Sequence, residues 1–299
     1  MKQSDKIGFI INPISGTQAK ENIPDLINEI IDEDQFNFNI RFTDYAGHAS
    51  KIARQMVKDN YTIIVAVGGD GTVNEIAKAL IHTNTALAII PCGSGNGLAR
   101  HLEIPLNIRE AIELLNNYKI SEIDYGTAND IVFFCTCGVG FDAQVGHQFA
   151  QNKKRGFFTY LTSIVSEFIK YRAKKYKFKT SENKFKKRAF LVTFANASQY
   201  GNNAYIAPEA DIQDGLLDVC ILEPFPAYKV LNIGMKLMRK RIDKSQYIEI
   251  MRTDEVKIKR KKRDVFHFDG EPCIMKKKII IKAHHYGLKV AVPVNSKLK

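Results

Sequence analysis

The sequence lacks any apolar run that reaches the about 18–20 residues a membrane-spanning helix needs. Its longest candidates, Tyr61–Val67 and Ile131–Phe141, fall short, and Thr136, Gly138 and Gly140 break the second. A secretory leader is not expected either, because the apolar stretch Ile7–Ile11 is short and runs straight into Asn12-Pro13. Cysteine is sparse: positions 92, 135, 137, 220 and 273 give an odd number without a CxxC pair. That disfavours a disulfide framework or a zinc site and fits buried thiols. The absence of G-x-x-x-x-G-K-[ST] excludes a P-loop enzyme. No G-x-G-x-x-G opens the first strand–helix unit, which disfavours a dinucleotide fold, and the protein-kinase signature set is missing. What is present, 299 residues with 45% hydrophobic and 25% charged side chains, reads as a globular cytoplasmic protein of about two domains.

Charge divides the chain. Within the overall +12, residues 1–125 carry a net −5, 151–190 a net +11 and 252–289 a net +7. The opposite signs suggest two domains with different partners, the basic one suited to an anionic surface or a polyphosphate. A plain solvated face is the competing explanation for any one cluster.

Apolar spacing separates the same two regions. Lys6–Ile11, Phe36–Phe42, Tyr61–Val67 and Ala86–Ile90 read as strands. They alternate with helical spacing over Ala19–Ile31, around Ile52–Val57, over Val73–Ile81 and over Asn107–Tyr118. Repeated strand–helix units imply a parallel sheet covered on both faces. Beyond about residue 125 strands dominate: Ile131–Cys137, Lys186–Ala195, Leu216–Leu222, Tyr247–Ile250, Glu255–Lys259, Val265–Phe268, Lys278–Ala283 and Leu288–Val292. Phe157–Tyr171 and Val230–Arg239 are the helix candidates there. This pattern predicts a separate, mostly antiparallel β domain.

Three polar, glycine-bearing turns follow strands in the first region. They are Asn12-Pro13-Ile14-Ser15-Gly16, Gly68-Gly69-Asp70-Gly71-Thr72 and Gly93-Ser94-Gly95-Asn96-Gly97. Glycine at a strand-to-helix turn lets backbone N–H groups approach an anion, and the helix start favours phosphate. Each turn alone also reads as an ordinary tight turn. Together they fall at the carboxyl edge of one parallel sheet, where ligands bind. Asp70 stands out, because a carboxylate in a phosphate cradle repels the ligand unless a metal or proton is involved.

These turns, with Asn74-Glu75 after the second, Gly140-Phe141-Asp142-Ala143, the basic run Lys153-Lys154-Arg155-Gly156, Asp214-Gly215-Leu216-Leu217-Asp218 and Asp269-Gly270-Glu271, resemble the diacylglycerol-kinase catalytic domain family. That family includes bacterial soluble lipid kinases, sphingosine kinases and ceramide kinases. The resemblance implies a phosphofructokinase-like α/β domain over 1–125, with 285–299 as a candidate to return to it. It implies an antiparallel β-sandwich lipid-substrate domain over 126–284, and a nucleotide cleft between the two. It further implies that ATP contacts Asn12, Pro13, Ser15, Gly16, Thr43, Gly69, Asp70, Gly71, Thr72, Asn74, Glu75 and Ser94. Asp70 would organise the phosphates and a catalytic Mg2+. Glu271 would be the general base on the lipid hydroxyl. Asp214, with the carbonyls of Leu217 and Val219, would hold a second Mg2+.

The expected activity is therefore ATP-dependent phosphorylation of a lipid, foremost diacylglycerol. The second glycine turn is closer to sphingosine kinases, which keeps a sphingoid base or ceramide as alternatives. NAD kinase shares Gly-Gly-Asp-Gly-Thr but gives no reason for the later motifs. A nucleic-acid binder would leave the three turns unexplained. The expected partner is an anionic membrane surface met peripherally through the basic groups at 153–155, 170–188 and 257–263. No nucleic acid is expected, and a homodimer is left open.

Overall fold

The computed structural model describes residues 5–15, 22–151, 168 and 170–298, with 149–151 as backbone alone. The chain forms two compact units, one made of residues up to Ile123 together with Tyr286 onward, the other of Asp124–His285.

In the first unit, strands β1 (Asp5–Ile11), β2 (Phe36–Phe42), β3 (Ile63–Gly68) and β4 (Ala86–Pro91) form a parallel sheet in the order β2-β1-β3-β4. Helices α1 (Ile23–Ile30), α2 (His48–Lys58), α3 (Asp70–Leu80), α4 (Gly97–His101) and α5 (Ile108–Glu113) alternate with or follow these strands. Every residue of β3 and β4 is buried, as strands covered on both faces must be. Helix α1 packs with α5, and α2 packs with α3. The order reverses at β1, which pairs β2 on one side and β3 on the other. Such a switch point opens a crevice at the carboxyl ends of the strands.

The second unit is a two-sheet sandwich. Strands β7 (Thr136–Gly140), β10 (Leu191–Ala195), β11 (Leu217–Leu222), β12 (Ile248–Thr253), β14 (Asp264–Phe268) and β15 (Glu271–Met275) form one antiparallel sheet, ordered β12-β11-β10-β7-β14-β15. Facing it are β8 (Lys174–Lys179), β9 (Lys184–Ala189), β13 (Glu255–Lys259) and the first half of β16 (Lys278–Pro293). The core between the sheets holds Tyr176, Phe178, Ile258 and Ile279 against Val192, Phe194, Val219 and Phe266. A second core lies on the other face of the six-stranded sheet, where Leu191, Cys220 and Leu222 pack under helix α7 (Val230–Met238) through Ile233. The chain passes from one unit to the other inside β5 (Tyr118–Ala128) and inside β16.

Several elements differ from the spacing-based reading, each for a visible reason. The predicted strand Ile131–Cys137 is two, β6 (Ile131–Phe133) and β7, because the amides of Phe134 and Cys135 bond the Asp269 carboxylate instead of a ladder. The helix predicted over Asn107–Tyr118 stops early: Asn107 caps it by accepting from Arg109 and Glu110, a 3₁₀ turn spans Leu114–Asn116, and Tyr118 opens β5. The strand predicted over Lys186–Ala195 divides at Phe190 into β9 and β10, which belong to different sheets. Lys278–Ala283 and Leu288–Val292 are one strand, β16. Helix α6 (Phe141–Gln151) and the short α4 were not legible, since glycine and polar residues blur their periodicity. Of the helix predicted over Phe157–Tyr171, residues 157–167 and 169 lie outside the described set.

Gly126 on β5 pairs directly with Phe133 on β6, and a Cβ added there would overlap the Phe133 ring. Gly126→Ala should therefore overpack this corner and lower stability by about 1–3 kcal/mol, read as a fall in the denaturation midpoint with an unchanged slope.

Candidate active site

Four turns leave the carboxyl edge of the parallel sheet side by side. Thr43, after β2, donates its N–H to Ile11 at the end of β1 (2.9 Å). Asn12, after β1, donates to Val67 on β3 (3.1 Å), and Cys92, after β4, donates to Gly68 (2.9 Å). The strand order thus dictates the sequence Thr43, Asn12, Gly69-Asp70, Gly93 along one rim.

Side chains then tie the turns together. The Asn12 Nδ2 donates to Thr72 Oγ1 at 3.0 Å, and its Oδ1 accepts the Ile14 N–H at 3.2 Å. Glu75 Oε1 accepts the Gly47 N–H at 2.8 Å and so holds the turn that follows Thr43. Asp70 reaches the second glycine turn, where Oδ2 accepts the Asn96 N–H at 3.0 Å and Oδ1 accepts the Gly97 N–H at 2.7 Å. Asn96 closes that turn on itself, accepting from the Gly93 N–H and donating to the Gly93 carbonyl. The two glycine turns are in near contact: a Cβ on Gly93 would stand 2.8 Å from the Gly69 Cα, and one on Gly95 would stand 2.8 Å from Asp70 Oδ2.

The conflict that Asp70 posed in the sequence is resolved by these bonds. Asp70 is the first residue of α3, whose N-cap is Gly69, yet its carboxylate serves the start of α4. Its negative charge meets two amide dipoles, while Gly69 adds no side-chain cap to α3. A helix start without a side-chain cap is a general feature of anion-binding ends. Thr72 and Asn74 are buried on α3, and Thr43 is buried beside the rim. Pro13 and Ser94 are exposed, Ser15 is half-buried, and Gly16 lies outside the described residues.

The second unit carries the later motifs, each built around a buried or half-buried aspartate. Asp269 and Gly270 both have positive φ, +44° and +86°, and form the tight turn between β14 and β15. The Asp269 carboxylate accepts the N–H groups of Phe134, Cys135 and Thr136 at 2.8, 2.8 and 3.1 Å. Glu271 follows as the first residue of β15, exposed. Asp214 Oδ1 accepts the Leu216 N–H. Gly215 donates its N–H to Asp124, a fully buried carboxylate whose other oxygen meets His285 Nδ1 at 2.9 Å. Asp218 is paired with Arg252 at 3.0 Å, and Arg252 also lies 3.9 Å from Asp214. Burial pushes the Asp218 carboxyl above its ordinary value, with the Arg252 bond acting against that shift. Leu217 and Val219 are buried on β11, between β10 and β12. Asp142 Oδ2 meets Thr193 Oγ1, the Tyr200 hydroxyl and His267 Nε2 at 3.0–3.1 Å. Burial raises the thiols of Cys137 and Cys220 well above the usual range, so both are inert at neutral pH.

Sequence reasoning missed Asp124, Arg252, His267 and His285 as partners of these motifs. One signal was available for Asp124, an acidic residue inside the run Ile123–Tyr125. Of the basic groups, 153–155 lies outside the described residues. The other two are only partly free. Lys174 pairs with Asp264, Lys187 pairs with Glu223 and Glu249, and buried Arg260 donates to three carbonyls. Lys177, Lys179, Lys184, Lys186 and Lys259 share the outer face of the β8–β9–β13 sheet, opposite its buried aromatic row.

The fold is that of a two-unit protein, a parallel α/β unit carrying a rim of glycine turns and an antiparallel sandwich. The family model described as diacylglycerol kinase catalytic domain matches residues 6–128, and that described as YegS C-terminal NAD kinase beta sandwich-like domain matches 135–278. A Pseudomonas putida protein named "Probable lipid kinase YegS-like" is 31% identical over 214 residues, 70% of this chain and 72% of its own. A Staphylococcus saprophyticus diacylglycerol kinase is 26% identical, covering 72% of each chain. The crystal structure of a diacylglycerol kinase from Bacillus anthracis superposes with a TM-score of 0.77 at 19% identity, over 99% of this chain and 100% of that one, a likeness of fold. The chain belongs to the diacylglycerol-kinase catalytic-domain family of lipid kinases.

The Asp70 bonds yield a direct test. Asp70→Ala removes both acceptors, and each hydrogen bond to a charged group contributes about 1.5–3 kcal/mol. Amide exchange at Asn96 and Gly97 should quicken by roughly tenfold or more. Asp70→Asn, with one acceptor oxygen, should show a smaller rise. Exchange unchanged in both variants would remove Asp70 as the tie between the turns.

Proposed function

We propose that the enzyme transfers the γ-phosphoryl group of ATP to the free hydroxyl of diacylglycerol. The observation that carries this reading is the rim itself: two glycine turns locked by Asp70 beside the uncapped start of α3. Backbone N–H groups there suit the nucleotide phosphates. Phosphoryl transfer depends mainly on positioning and charge stabilisation, which a preorganised rim provides. Asn12, Thr72 and Glu75 keep neighbouring turns in register for the same ligand.

Glu271 is the proposed general base, taking the proton of the lipid hydroxyl as its oxygen attacks. Its place beside a rigid turn supports this, since Asp269 is fixed by three amides and Glu271 itself stays exposed. Carboxylate and carbonyl oxygens are the donors magnesium prefers, and by the resemblance Asp214 with the carbonyls of Leu217 and Val219 would hold it. Asp211, Asp214 and Asp218 line one small pocket, but Arg252 pairs with Asp218 there and, among the described residues, no three acidic, histidine or cysteine side chains are grouped to hold a metal. Magnesium carried with the nucleotide neutralises charge on the phosphate oxygens.

Lipid reaches such an enzyme at a membrane surface, and among the described residues no helix is long and apolar enough to cross one. The likeness of Gly93-Ser94-Gly95-Asn96 to sphingosine kinases supports a sphingoid base as the second reading. The test is ATP-to-ADP turnover with magnesium and mixed micelles of diacylglycerol, monoacylglycerol, a sphingoid base or ceramide, with NAD as a soluble arm. Diacylglycerol should be phosphorylated fastest; turnover with NAD alone would overturn the lipid reading. Glu271→Gln should lower the rate by about 10²–10⁴-fold with unchanged thermal stability, because the side chain is exposed.

A further inference from the structure

Helix α7 has two apolar faces. One, carrying Ile233 and Leu237, packs against the second core. The other is turned to solvent: Tyr228, Leu231, Met235 and Met238 are 78, 76, 50 and 53% exposed. Their spacing, i, i+3, i+7 and i+10, forms a continuous stripe along the helix and the 3₁₀ turn that leads into it. Lys229, Lys236, Arg239, Lys240 and Arg241 surround the stripe, and residues 224–242 contain no acidic side chain. Contiguous exposed apolar side chains of this kind mark interaction surfaces. Leu and Met on one face, with a purely basic fringe, are the composition of a helix that lies in a membrane interface.

The alternative surface is the lysine face of β8, β9 and β13. The layers of the sandwich separate the two. Lysines lie outside one sheet, the aromatic core lies between the sheets, and α7 lies beyond the outer face of the other sheet. A flat bilayer that meets one cannot meet the other. Apart from Ile280 on the neighbouring β16, 38% exposed beside Lys257, the lysine face has its large apolar residues turned inward, so it has charge but little to insert. Lysines on the edge strand β9 also prevent edge-to-edge pairing. Helix α7 combines charge with insertable side chains.

We propose that α7 seats this enzyme on an anionic bilayer, with Leu231, Met235 and Met238 in the headgroup–acyl boundary and the flanking cations on lipid phosphates. The proposal rests on the reading that the substrate is a bilayer lipid. Electrostatic attraction brings the helix to the surface, and burial of the stripe holds it there.

The chain has no tryptophan, so Leu231→Trp places a single indole reporter on the stripe. Its emission should shift to the blue with vesicles of phosphatidylcholine containing phosphatidylglycerol, and stay unmoved with phosphatidylcholine alone. Flotation with the anionic vesicles should weaken by roughly tenfold or more in L231S/M235S/M238S, which leaves the buried Ile233 and Leu237 intact. Circular dichroism should be unchanged in that variant. Its turnover of a water-soluble short-chain diacylglycerol should match the wild type, while turnover of long-chain diacylglycerol in vesicles falls. Four outcomes overturn the proposal: wild-type protein that does not float; flotation lost in K177A/K179A/K259A but kept in the triple serine variant; a solution dimer that the serine substitutions split; or displacement from vesicles to an oligonucleotide. Vesicle insertion without turnover of any lipid would reject the substrate reading and leave the docking surface standing.

Discussion

The hydrogen bonds from Asn96 and Gly97 to the Asp70 carboxylate hold the rim of glycine turns in one shape. The turns after β3 and β4 are glycine-rich and would otherwise be mobile. One side chain fixes both, since its backbone opens α3 while its oxygens receive the start of α4. The closeness of Gly93 to Gly69 follows, and with it the need for glycine at 93. The carboxylate of Asp70 thus turns part of its charge toward the amides that open α4.

The second unit uses aspartate in the same way three times. Asp269 gathers three consecutive amides and interrupts a strand in doing so. Asp124 joins Gly215 to His285, and Asp142 joins Thr193, Tyr200 and His267. Buried carboxylates are costly unless fully bonded, and fully bonded ones specify a single arrangement. The rigid turn before Glu271 and the loop around Asp214 are both products of that requirement.

The rim was legible in the sequence because its requirement is local: glycine at a strand-to-helix turn, repeated on successive units. The buried strands β3 and β4 were legible for the same reason, as unbroken apolar runs. What escaped was set by partners far away in the chain. Nothing near Asp142 announces Tyr200 or His267, and nothing near Asp124 announces His285. The basic stretch at 174–179 read as a surface cluster, yet alternate residues Tyr176 and Phe178 are core and only the lysines between them face out. The division of 131–140 into two strands was hidden because its cause, Asp269, lies more than 130 positions later.

Strand β16 has a consequence for how the protein comes into being. Its first half pairs with β13 in one unit, and its second half reaches β4 in the other, where His82 also donates to Gly287. His285, which completes the Asp124 contact, lies between these halves. A growing chain therefore cannot finish the parallel sheet of the first unit on its own, although its four other strands are made long before. Both units wait for the same late segment, and each holds an open sheet edge until the ribosome delivers it.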